Sequence, residues 1–525
     1  MPNSVDFSGR PFHFIGIGGI GMSALAYVIA KQHLPVSGSD IRSSHITQRL
    51  QAVGAHIFIG QDATNLEFFP ESTDKAGGTL PTGAAVGSSH VQEPSLVSSK
   101  LSGGVATANP QGQLPQVICS TAINTANSEF RAAIEKGCPI FHRSELLAAL
   151  IQNYQTIAVA GTHGKTTTSS LIGYMLLQAG LDPTIVVGGE VNAFGGNARL
   201  GNGSYMVAEA DESDGSLVKL SAAIGVVTNI ELDHPDHYES LEDVITTFEV
   251  FADHCQTLVG CIDCETVRTR LQPKVSYSVE SGTGADYTVD GITHNPDGTS
   301  AQVWERGKIM GQLNLKLLGK HNLSNALAAV AVGRQLGLDF GVIAKAIATF
   351  EGAKRRFELR GECNGIRFVD DYAHHPSEIQ VTLAAARLQI VDKKSNSQST
   401  VDNSKLDKRI VAIFQPHRYS RTLAFLPEFG QSFKDADIVV ISDIYSAGEP
   451  DLGQINGQQL ADLIATHNPK VHYQPSLASV SKVLTEILRP GDLALFLGAG
   501  NLNQIIPDVI AFYQKADSGI SQVMS

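Results

Sequence analysis

Short apolar runs alternate along this chain with longer segments whose mixed polarity is compatible with helices. The apolar runs at residues 12–15 and 156–160 each lead into a glycine-containing turn and then into a helical pattern. Further strands are predicted at residues 365–370, 410–414 and 493–497, with a helix from about residue 376. Strands that alternate with helices of about 10–15 residues predict an α/β fold with mostly parallel sheets.

The chain is too long for one hydrophobic core, since 525 residues exceed the usual domain size of about 100–200 residues. The repeated strand–turn–helix units predict three α/β domains, at residues 1–152, 153–351 and 352–525. Residues 75–113, rich in Gly, Ser, Thr and Pro, are predicted to be a flexible surface insertion, and the polar residues 392–407 a second one.

Composition narrows the class of protein further. Apolar residues make up 42% of the chain, and 39 basic against 52 acidic residues give a net charge of −13. This charge argues against general binding to nucleic acids or anionic membranes. The chain lacks an apolar run of about 18 residues, a signal peptide and a disulfide framework, so we expect a cytoplasmic protein.

The first glycine turn contains Gly16, Gly18, Gly19 and Gly21 between a predicted strand and a predicted helix. Such a turn lets the backbone and the helix N-terminus approach a diphosphate. Asp40 ends the next predicted strand, where a carboxylate can bond a ribose hydroxyl. The pattern predicts a nucleotide or dinucleotide site and leaves the ligand class open; a glycine turn without a ligand is the alternative.

The second glycine turn resembles a phosphate-binding loop. The Lys165 ammonium would neutralise phosphate oxygens, and the Thr166 hydroxyl would bind Mg²⁺. The strict motif is not matched, because Val159 stands at its first glycine position, but strand, loop and helix fall in the expected order. We therefore predict ATP binding by Gly161, Thr162, His163, Gly164, Lys165, Thr166 and Thr167.

Two acidic clusters follow predicted apolar strands, at residues 209–214 and 233–237. Both are expected at the same carboxyl edge of the sheet as the phosphate loop, where their oxygens would serve Mg²⁺. A solvated acidic turn is the alternative for either cluster alone. Cys261 and Cys264 have no second pair at zinc-site spacing, so we predict buried or strand-end thiols there.

Seven strings in order, GIGGIGMSALA, AGTHGKTTT, AEADESDGS, DHPDHY, GKHNLSNALAA, DDYAHHPSE and FQPHRYSRT, together resemble the Mur ligase family. The resemblance runs from residue 12 to about residue 500. It implies a Rossmann-like UDP-binding domain, a P-loop ATPase domain and a C-terminal Rossmann-like domain that closes over the site. It also implies that the first glycine turn and Asp40 contact the UDP-sugar.

The resemblance implies roles for individual residues. Thr166, Glu209 and His234 match the Mg²⁺ ligands of the family, and Asn322 and Asn325 match its adenine contacts. The positions that match the amino-acid pocket are His374, His417, Arg418 and Arg421, with Lys165, His374 and Arg418 as catalytic residues. An arginine fork suits the carboxylate of an amino acid. Without the family, these arginines would be read as surface charges.

These roles imply a ligase that uses ATP and Mg²⁺ to join L-alanine to the carboxylate of UDP-N-acetylmuramate through an acyl phosphate, in peptidoglycan synthesis. His374 or His417 would accept the proton of the amine. The alternatives are a sister ligase that attaches a preformed peptide in cell-wall recycling, a P-loop ATPase regulator, and a nicotinamide-linked dehydrogenase. A dehydrogenase would leave the role of Lys165 unexplained.

The expected oligomeric state is a monomer or a homodimer.

Two further features bear on this comparison. Several relatives carry a carbamylated lysine downstream of the DH motif, whereas residues 241–253 contain no lysine, which counts against those relatives. Arg355 and Arg356, at the predicted junction of the second and third domains, would either bring positive charge to the phosphates or form salt bridges at a hinge.

Overall fold

The computed structural model describes residues 4–69, 113–295, 297–390 and 408–523, with side chains as far as residue 515. Within it the chain forms two compact units, Met1–Leu146 and Leu147–Ser525. The predicted insertion at residues 75–113 lies outside the described residues except for Gln113, and the predicted insertion at residues 392–407 lies wholly outside them.

The first unit contains a five-stranded sheet in the order β3-β2-β1-β4-β5, in which all neighbouring strands are parallel. Its strands are β1 Phe12–Ile15, β2 Val36–Asp40, β3 His56–Ile59, β4 Gln116–Cys119 and β5 Ile140–His142. Its helices are α1 Ile20–Lys31, α2 His45–Ala52 and α3 Ser128–Glu135, and α4 Arg143–Ile151 continues into the second unit. Since β1 is central, the first glycine turn lies where the strand order reverses, a usual ligand position.

The second unit begins with a ten-stranded sheet in the order β15-β14-β13-β12-β11-β10-β6-β9-β7-β8, parallel from β13 to β7. Its strands are β6 Gln155–Ala160, β7 Thr184–Val191, β8 Gly196–Arg199, β9 Tyr205–Glu209, β10 Ala222–Val227, β11 Cys255–Cys261, β12 Val275–Ser278, β13 Tyr287–Asn295, β14 Gly298–Glu305 and β15 Lys308–Leu315. The helices α5 Lys165–Gln178, α6 Leu241–Asp253, α7 Lys320–Gln335 and α8 Phe340–Thr349 accompany it.

A six-stranded sheet follows in the order β16-β17-β21-β18-β19-β20, parallel except for the β16–β17 pair. Its strands are β16 Glu358–Cys363, β17 Ile366–Asp371, β18 Ile410–Phe414, β19 Ile438–Ser442, β20 Val471–Gln474 and β21 Leu493–Leu497. Its helices are α9 Pro376–Ile390, α10 Tyr419–Ala424, α11 Leu426–Gln431, α12 Gly457–Ala465, α13 Leu477–Ile487 and α14 Ile506–Val523.

The predicted α/β fold with mostly parallel sheets is confirmed. The three sheets occupy the three segments that the sequence separates, while the boundaries at residues 152 and 352 stay predictions. Each sheet has a buried apolar core, and β6, β18 and β21 are almost entirely buried because helices cover both of their faces. No helix of the described ranges is both long enough and apolar enough to cross a membrane.

Candidate active site

The phosphate loop connects β6 to α5, and β6 is an interior strand of the ten-stranded sheet, between β9 and β10. Gly161 and Gly164 have φ values of 138° and 83°. A Cβ atom on Gly164 would lie 2.6 Å from Oδ1 of Asn325, so both backbone conformation and space require glycine there. No side chain caps the N-terminus of α5, so its backbone N–H groups and helix dipole face the loop.

The side chain of Lys165 lies against the backbone of this loop. Its Nζ donates to the carbonyl oxygens of Gly161 at 2.6 Å and Thr162 at 3.0 Å, and to Oε1 of Glu212 at 2.8 Å. Burial disfavours the charged ammonium, but Glu212 and Asp211 outweigh burial and raise the pKa of Lys165. The lysine is therefore charged and held at the loop, as a phosphate neutraliser must be.

Glu212 was predicted only as one member of an acidic cluster, yet the structure places it directly at the lysine. Burial raises the pKa of this carboxyl to about 7 against the opposing effect of Lys165. Its Oε2 atom is buried and has no hydrogen-bond partner among the described residues. This oxygen atom, which lies beside the phosphate loop, can accept a hydrogen bond from a protonated group of a ligand or coordinate a cation.

The residues expected to hold Mg²⁺ lie at the same edge of the sheet. Thr166 Oγ1 donates to Glu209 Oε1 at 3.0 Å, and Glu209 Oε2 accepts from the amide of Gly188 at 2.6 Å. His234 Nε2 lies 4.0 Å from Glu212 Oε1, and burial lowers its pKa, which favours the neutral imidazole that binds metals. A hydroxyl, a carboxylate and a neutral imidazole, with the open oxygen of Glu212 nearby, fit a divalent cation.

A cavity of about 460 Å³ adjoins the phosphate loop, within the range of small-molecule sites. Asn322 and Asn325 line it, as the predicted adenine contacts should. Asn325 Oδ1 accepts from Thr168 Oγ1 at 3.1 Å, which ties α7 to α5 beside the loop. Cys261 and Cys264 also line the cavity, and Cys261 is the buried last residue of β11.

His163 lies between two carboxylates that the sequence did not indicate. Its Nε2 is 3.4 Å from Glu231 Oε2, and its Nδ1 is 3.4 Å from Glu378 Oε1. Burial opposes the imidazolium, but the two carboxylates outweigh burial and raise the pKa of His163 to about 10. The ion pair with His163 lowers the pKa of Glu231 to about 2. Since Glu378 belongs to α9, this contact joins the phosphate loop to the C-terminal sheet region.

The four residues predicted for the amino-acid pocket are brought together at the carboxyl ends of β17 and β18. The rings of His374 and His417 have centroids 5.9 Å apart, and Arg421 Nη1 lies 3.3 Å from His417 Nδ1. Burial lowers the pKa of His374 to about 4 and that of His417 to about 3, so both imidazoles are neutral near pH 7.

The two arginines of this cluster differ in their surroundings. Arg421 is 2% exposed, and its Nε donates to Asp233 Oδ1 at 2.9 Å. The Arg418 side chain is 31% exposed and lies 2.7 Å from Asp236 Oδ2 and 3.3 Å from Glu449 Oε1. The guanidinium of Arg418 is therefore the one that an incoming carboxylate can reach. Arg421 is buried and holds Asp233 and His417 in place.

Both Arg355 and Arg356 form salt bridges in the structure. Arg355 donates to the carbonyl oxygen of Gly498 at 2.5 Å and lies 3.5 Å from Asp370. Arg356 Nη1 lies 3.7 Å from Glu378 Oε1, and Arg356 also lines the cavity, so its contact with a phosphate stays a prediction.

In the first unit, the glycine turn is closed by Asp40. The amide of Gly18 donates to Asp40 Oδ2 at 2.8 Å, so the carboxylate predicted to meet a ribose also bonds the turn itself. Gly16 has a φ of 81°, and Gly19 precedes α1, whose N-terminus has no side-chain cap. A Cβ atom on Gly21 would lie 3.4 Å from Nη1 of Arg143, so this turn also has a guanidinium beside it that the sequence did not indicate.

Comparisons with known proteins agree with this geometry. Three family profiles match in order: the Mur ligase family catalytic domain at residues 11–155, the Mur ligase middle domain at residues 159–333, and the Mur ligase glutamate ligase domain at residues 355–500. Together they match most of the chain.

Individual relatives match over nearly their whole length. The UDP-N-acetylmuramate–L-alanine ligase of Nostoc punctiforme is 64% identical over 98% of this chain and 99% of its own, and that of Trichodesmium erythraeum is 63% identical over 98% of both chains. The crystal structure of the UDP-N-acetylmuramate–alanine ligase of Thermotoga maritima superposes with a TM-score of 0.75 at 26% identity, covering 97% of this chain and all of that one. The motifs, the three-sheet architecture and these matches agree, and the chain belongs to the Mur ligase family.

Proposed function

We propose that this chain joins L-alanine to the carboxylate of UDP-N-acetylmuramate and converts ATP to ADP and phosphate. One observation carries the proposal: a continuous series of contacts links the phosphate loop to the amino-acid cluster. From Lys165 it passes through Glu212, His234 and Asp233 to Arg421, with separations of 2.8, 4.0, 3.7 and 2.9 Å. The residues that activate a carboxylate thus lie next to those that suit an amino acid.

The first chemical step makes the poorly electrophilic carboxylate reactive. The muramyl carboxylate attacks the γ-phosphate of ATP, the bond from the γ-phosphorus to the bridging oxygen breaks, and ADP leaves as the acyl phosphate forms. Lys165 would offset the charge that develops on the transferred phosphoryl group. Asn322 and Asn325 would fix the adenine in the cavity. Mg²⁺, held by Thr166, Glu209 and His234, would supply Lewis-acid stabilisation of the phosphate charge.

The second step forms the amide bond. Arg418 would hold the carboxylate of alanine, and the amine would attack the acyl phosphate with loss of phosphate. Burial lowers the pKa of His374 to about 4 and that of His417 to about 3, so each would offer the neutral amine a hydrogen-bond acceptor while being only a weak base. Arg421 is a positioning residue, because it acts through Asp233 and His417.

The first unit would bind the UDP part of the sugar nucleotide. The backbone of the turn at Gly16, Gly18, Gly19 and Gly21 and the uncapped N-terminus of α1 suit a diphosphate. Arg143 adds a positive charge beside Gly21. A cytoplasmic location, where ATP is available, follows from this proposal, and the monomeric or homodimeric state stays a prediction.

The proposal is tested by measuring phosphate release from ATP with Mg²⁺ while UDP-N-acetylmuramate and L-alanine are varied independently. We expect release only when both are present, and a product heavier than the sugar nucleotide by one alanyl residue. Release that requires a tripeptide instead of alanine would identify the peptide-attaching sister reaction. Release that ignores both substrates would overturn the ligase assignment.

A further inference from the structure

Outside the residues expected to hold Mg²⁺, a second cluster with metal-ligand chemistry includes a residue of the phosphate loop. It consists of His163 in the loop, Glu231 after β10, and His375 just before α9. One ligand atom from each of these side chains lies within 4.8 Å of the others. Two imidazoles and one carboxylate form the three-ligand set that binds Zn²⁺ with a fourth position open to water.

The geometry of the cluster is close to what a metal requires. Bonds of about 2.0–2.2 Å in a tetrahedral site place ligand atoms about 3.3–3.5 Å apart. His163 Nε2 and Glu231 Oε2 are 3.4 Å apart, which already meets this requirement. The ligand atom of His375 lies within 4.8 Å of the other two, so it would have to approach them by up to about 1.5 Å to reach the same spacing.

Two nitrogen atoms of the cluster lack hydrogen bonds. Nε2 of His163 and Nε2 of His375 are buried and make no hydrogen bond in the described part of the chain, although Nε2 of His163 forms an ion pair with Glu231 at 3.4 Å. His375 as a residue is 5% exposed, so water does not readily satisfy it. Buried polar atoms without partners are uncommon, and a bound ion is one explanation for them.

Neighbouring groups orient the cluster. Glu378 Oε1 lies 3.4 Å from Nδ1 of His163, the carboxylate–histidine arrangement that directs the other ring nitrogen to a metal. Ser377 Oγ donates to Glu231 Oε2 at 2.8 Å and holds that carboxylate in place. The Ser377 amide donates to His375 Nδ1 at 3.4 Å, so metal binding at Nε2 of His375 requires this long hydrogen bond to be given up.

We infer that His163, Glu231 and His375 bind a divalent transition-metal ion with the coordination preferences of Zn²⁺. The ion would displace the Nε2 proton of His163, which faces Glu231, while the Nδ1 proton would stay directed at Glu378. Since His163 belongs to the phosphate loop and His375 precedes α9, the bound ion would link the central sheet region to the C-terminal one. Access of ATP to the adjoining cavity would then depend on the metal.

The test uses the full-length chain and Co²⁺ or Zn²⁺ alone, with ATP, Mg²⁺ and the other substrates omitted, so that it does not depend on the proposed function. A Glu209→Gln background weakens the neighbouring Mg²⁺ site. We expect one equivalent of Co²⁺ to give strong visible absorption of low-coordinate geometry. Adding His375→Gln should abolish that absorption and weaken Zn²⁺ binding, measured by calorimetry, by more than tenfold.

The matched control is His321→Gln, which alters another buried imidazole of the same cavity and should leave Co²⁺ absorption unchanged. Glu378→Gln should weaken Zn²⁺ binding by about 10- to 100-fold through the orientation of His163. If His375→Gln does not fold, as judged by circular dichroism, Glu231→Gln replaces it, since the Glu231 side chain is 42% exposed. A folded His375→Gln or Glu231→Gln variant that keeps the absorption and the Zn²⁺ affinity of its parent would overturn the site.

Discussion

Arg421 and Asp233 form a buried ion pair across 188 residues of sequence, with Nε donating to Oδ1 at 2.9 Å and side-chain exposures of 2% and 6%. Burial by itself would raise the pKa of Asp233, but Arg421 and the nearby histidines outweigh it and lower that pKa well below its usual value. The pair fixes α10 of the C-terminal sheet region against the segment after β10. It therefore positions the amino-acid cluster relative to the phosphate loop.

Replacing Arg421 should destabilise the second unit strongly. Arg421→Met leaves the Asp233 charge buried without a partner, a change that costs about 3–5 kcal/mol. Asp233→Asn added to this variant should restore part of the lost free energy of unfolding, because it removes the unpaired negative charge of Asp233. The free energies of unfolding in denaturant of both single variants and of the double variant measure this coupling. The control is Arg306→Met, which breaks an exposed pair with Asp286 and should change the free energy of unfolding little. Equal effects of Arg421→Met and Arg306→Met would contradict the prediction.

Lys165→Met should abolish most ATP turnover. Loss of a charge that stabilises the transferring phosphoryl group reduces kcat by about 10²- to 10³-fold in comparable sites. Phosphate release with all substrates present measures the effect. Lys316→Met removes an exposed lysine paired with Glu351 and should retain normal turnover. A Lys165→Met enzyme within tenfold of the parent would show that another group neutralises the phosphate.

His163 should make thermal stability depend on pH. Its pKa in the folded chain is about 10, above the ordinary value of 6.5, so the folded state favours the protonated ring. The resulting stabilisation is complete below pH 6.5 and is lost as the pH rises through 10. The difference in Tm between the parent chain and His163→Gln, measured with a chelator present, should therefore shrink from pH 6.5 to pH 10. A constant difference over this range would show that His163 is not held protonated.

Gly188→Ala should weaken Mg²⁺ binding through Glu209. A Cβ atom at this position would lie 2.4 Å from Oε1 and 2.8 Å from Oε2 of Glu209, so the carboxylate must move. We expect the Mg²⁺ concentration for half-maximal phosphate release to rise by about tenfold or more. Gly341→Ala on α8, where an added Cβ meets no atom within 4 Å, serves as the control. An unchanged Mg²⁺ requirement would argue that Glu209 is not a ligand.

Arg418→Lys should raise the KM for alanine more than it changes kcat. A lysine keeps the charge but loses the planar fork, and the loss of one charge-assisted hydrogen bond of about 1.5 kcal/mol corresponds to about a tenfold rise. Initial rates at varied alanine and saturating UDP-N-acetylmuramate separate the two constants. Arg387→Lys, which alters a pair with Asp437, should leave both unchanged. If only kcat falls, Arg418 acts on the chemical step and not on the carboxylate of alanine.

The sequence by itself determined the elements whose causes are local. The strands Ile410–Phe414 and Leu493–Leu497 have the bounds that their apolar runs predict, because a parallel strand covered on both faces needs continuous apolar residues. The phosphate loop was equally predictable, since Gly161, Gly164 and Lys165 occupy fixed positions between a strand and a helix. Strand order then placed Glu209 at the same edge of the sheet.

Only the tertiary structure decided which of these residues meet. The sequence offered Arg418 and Arg421 as equivalent partners for a carboxylate, whereas folding buries Arg421 against Asp233 and leaves Arg418 accessible. Likewise, nothing local to His163 indicates Glu378, which α9 brings to it from 215 residues away. The physical reason is that hydrophobic periodicity and turn geometry act over a few residues, while charge pairing depends on distances that only the packed sheets and helices set.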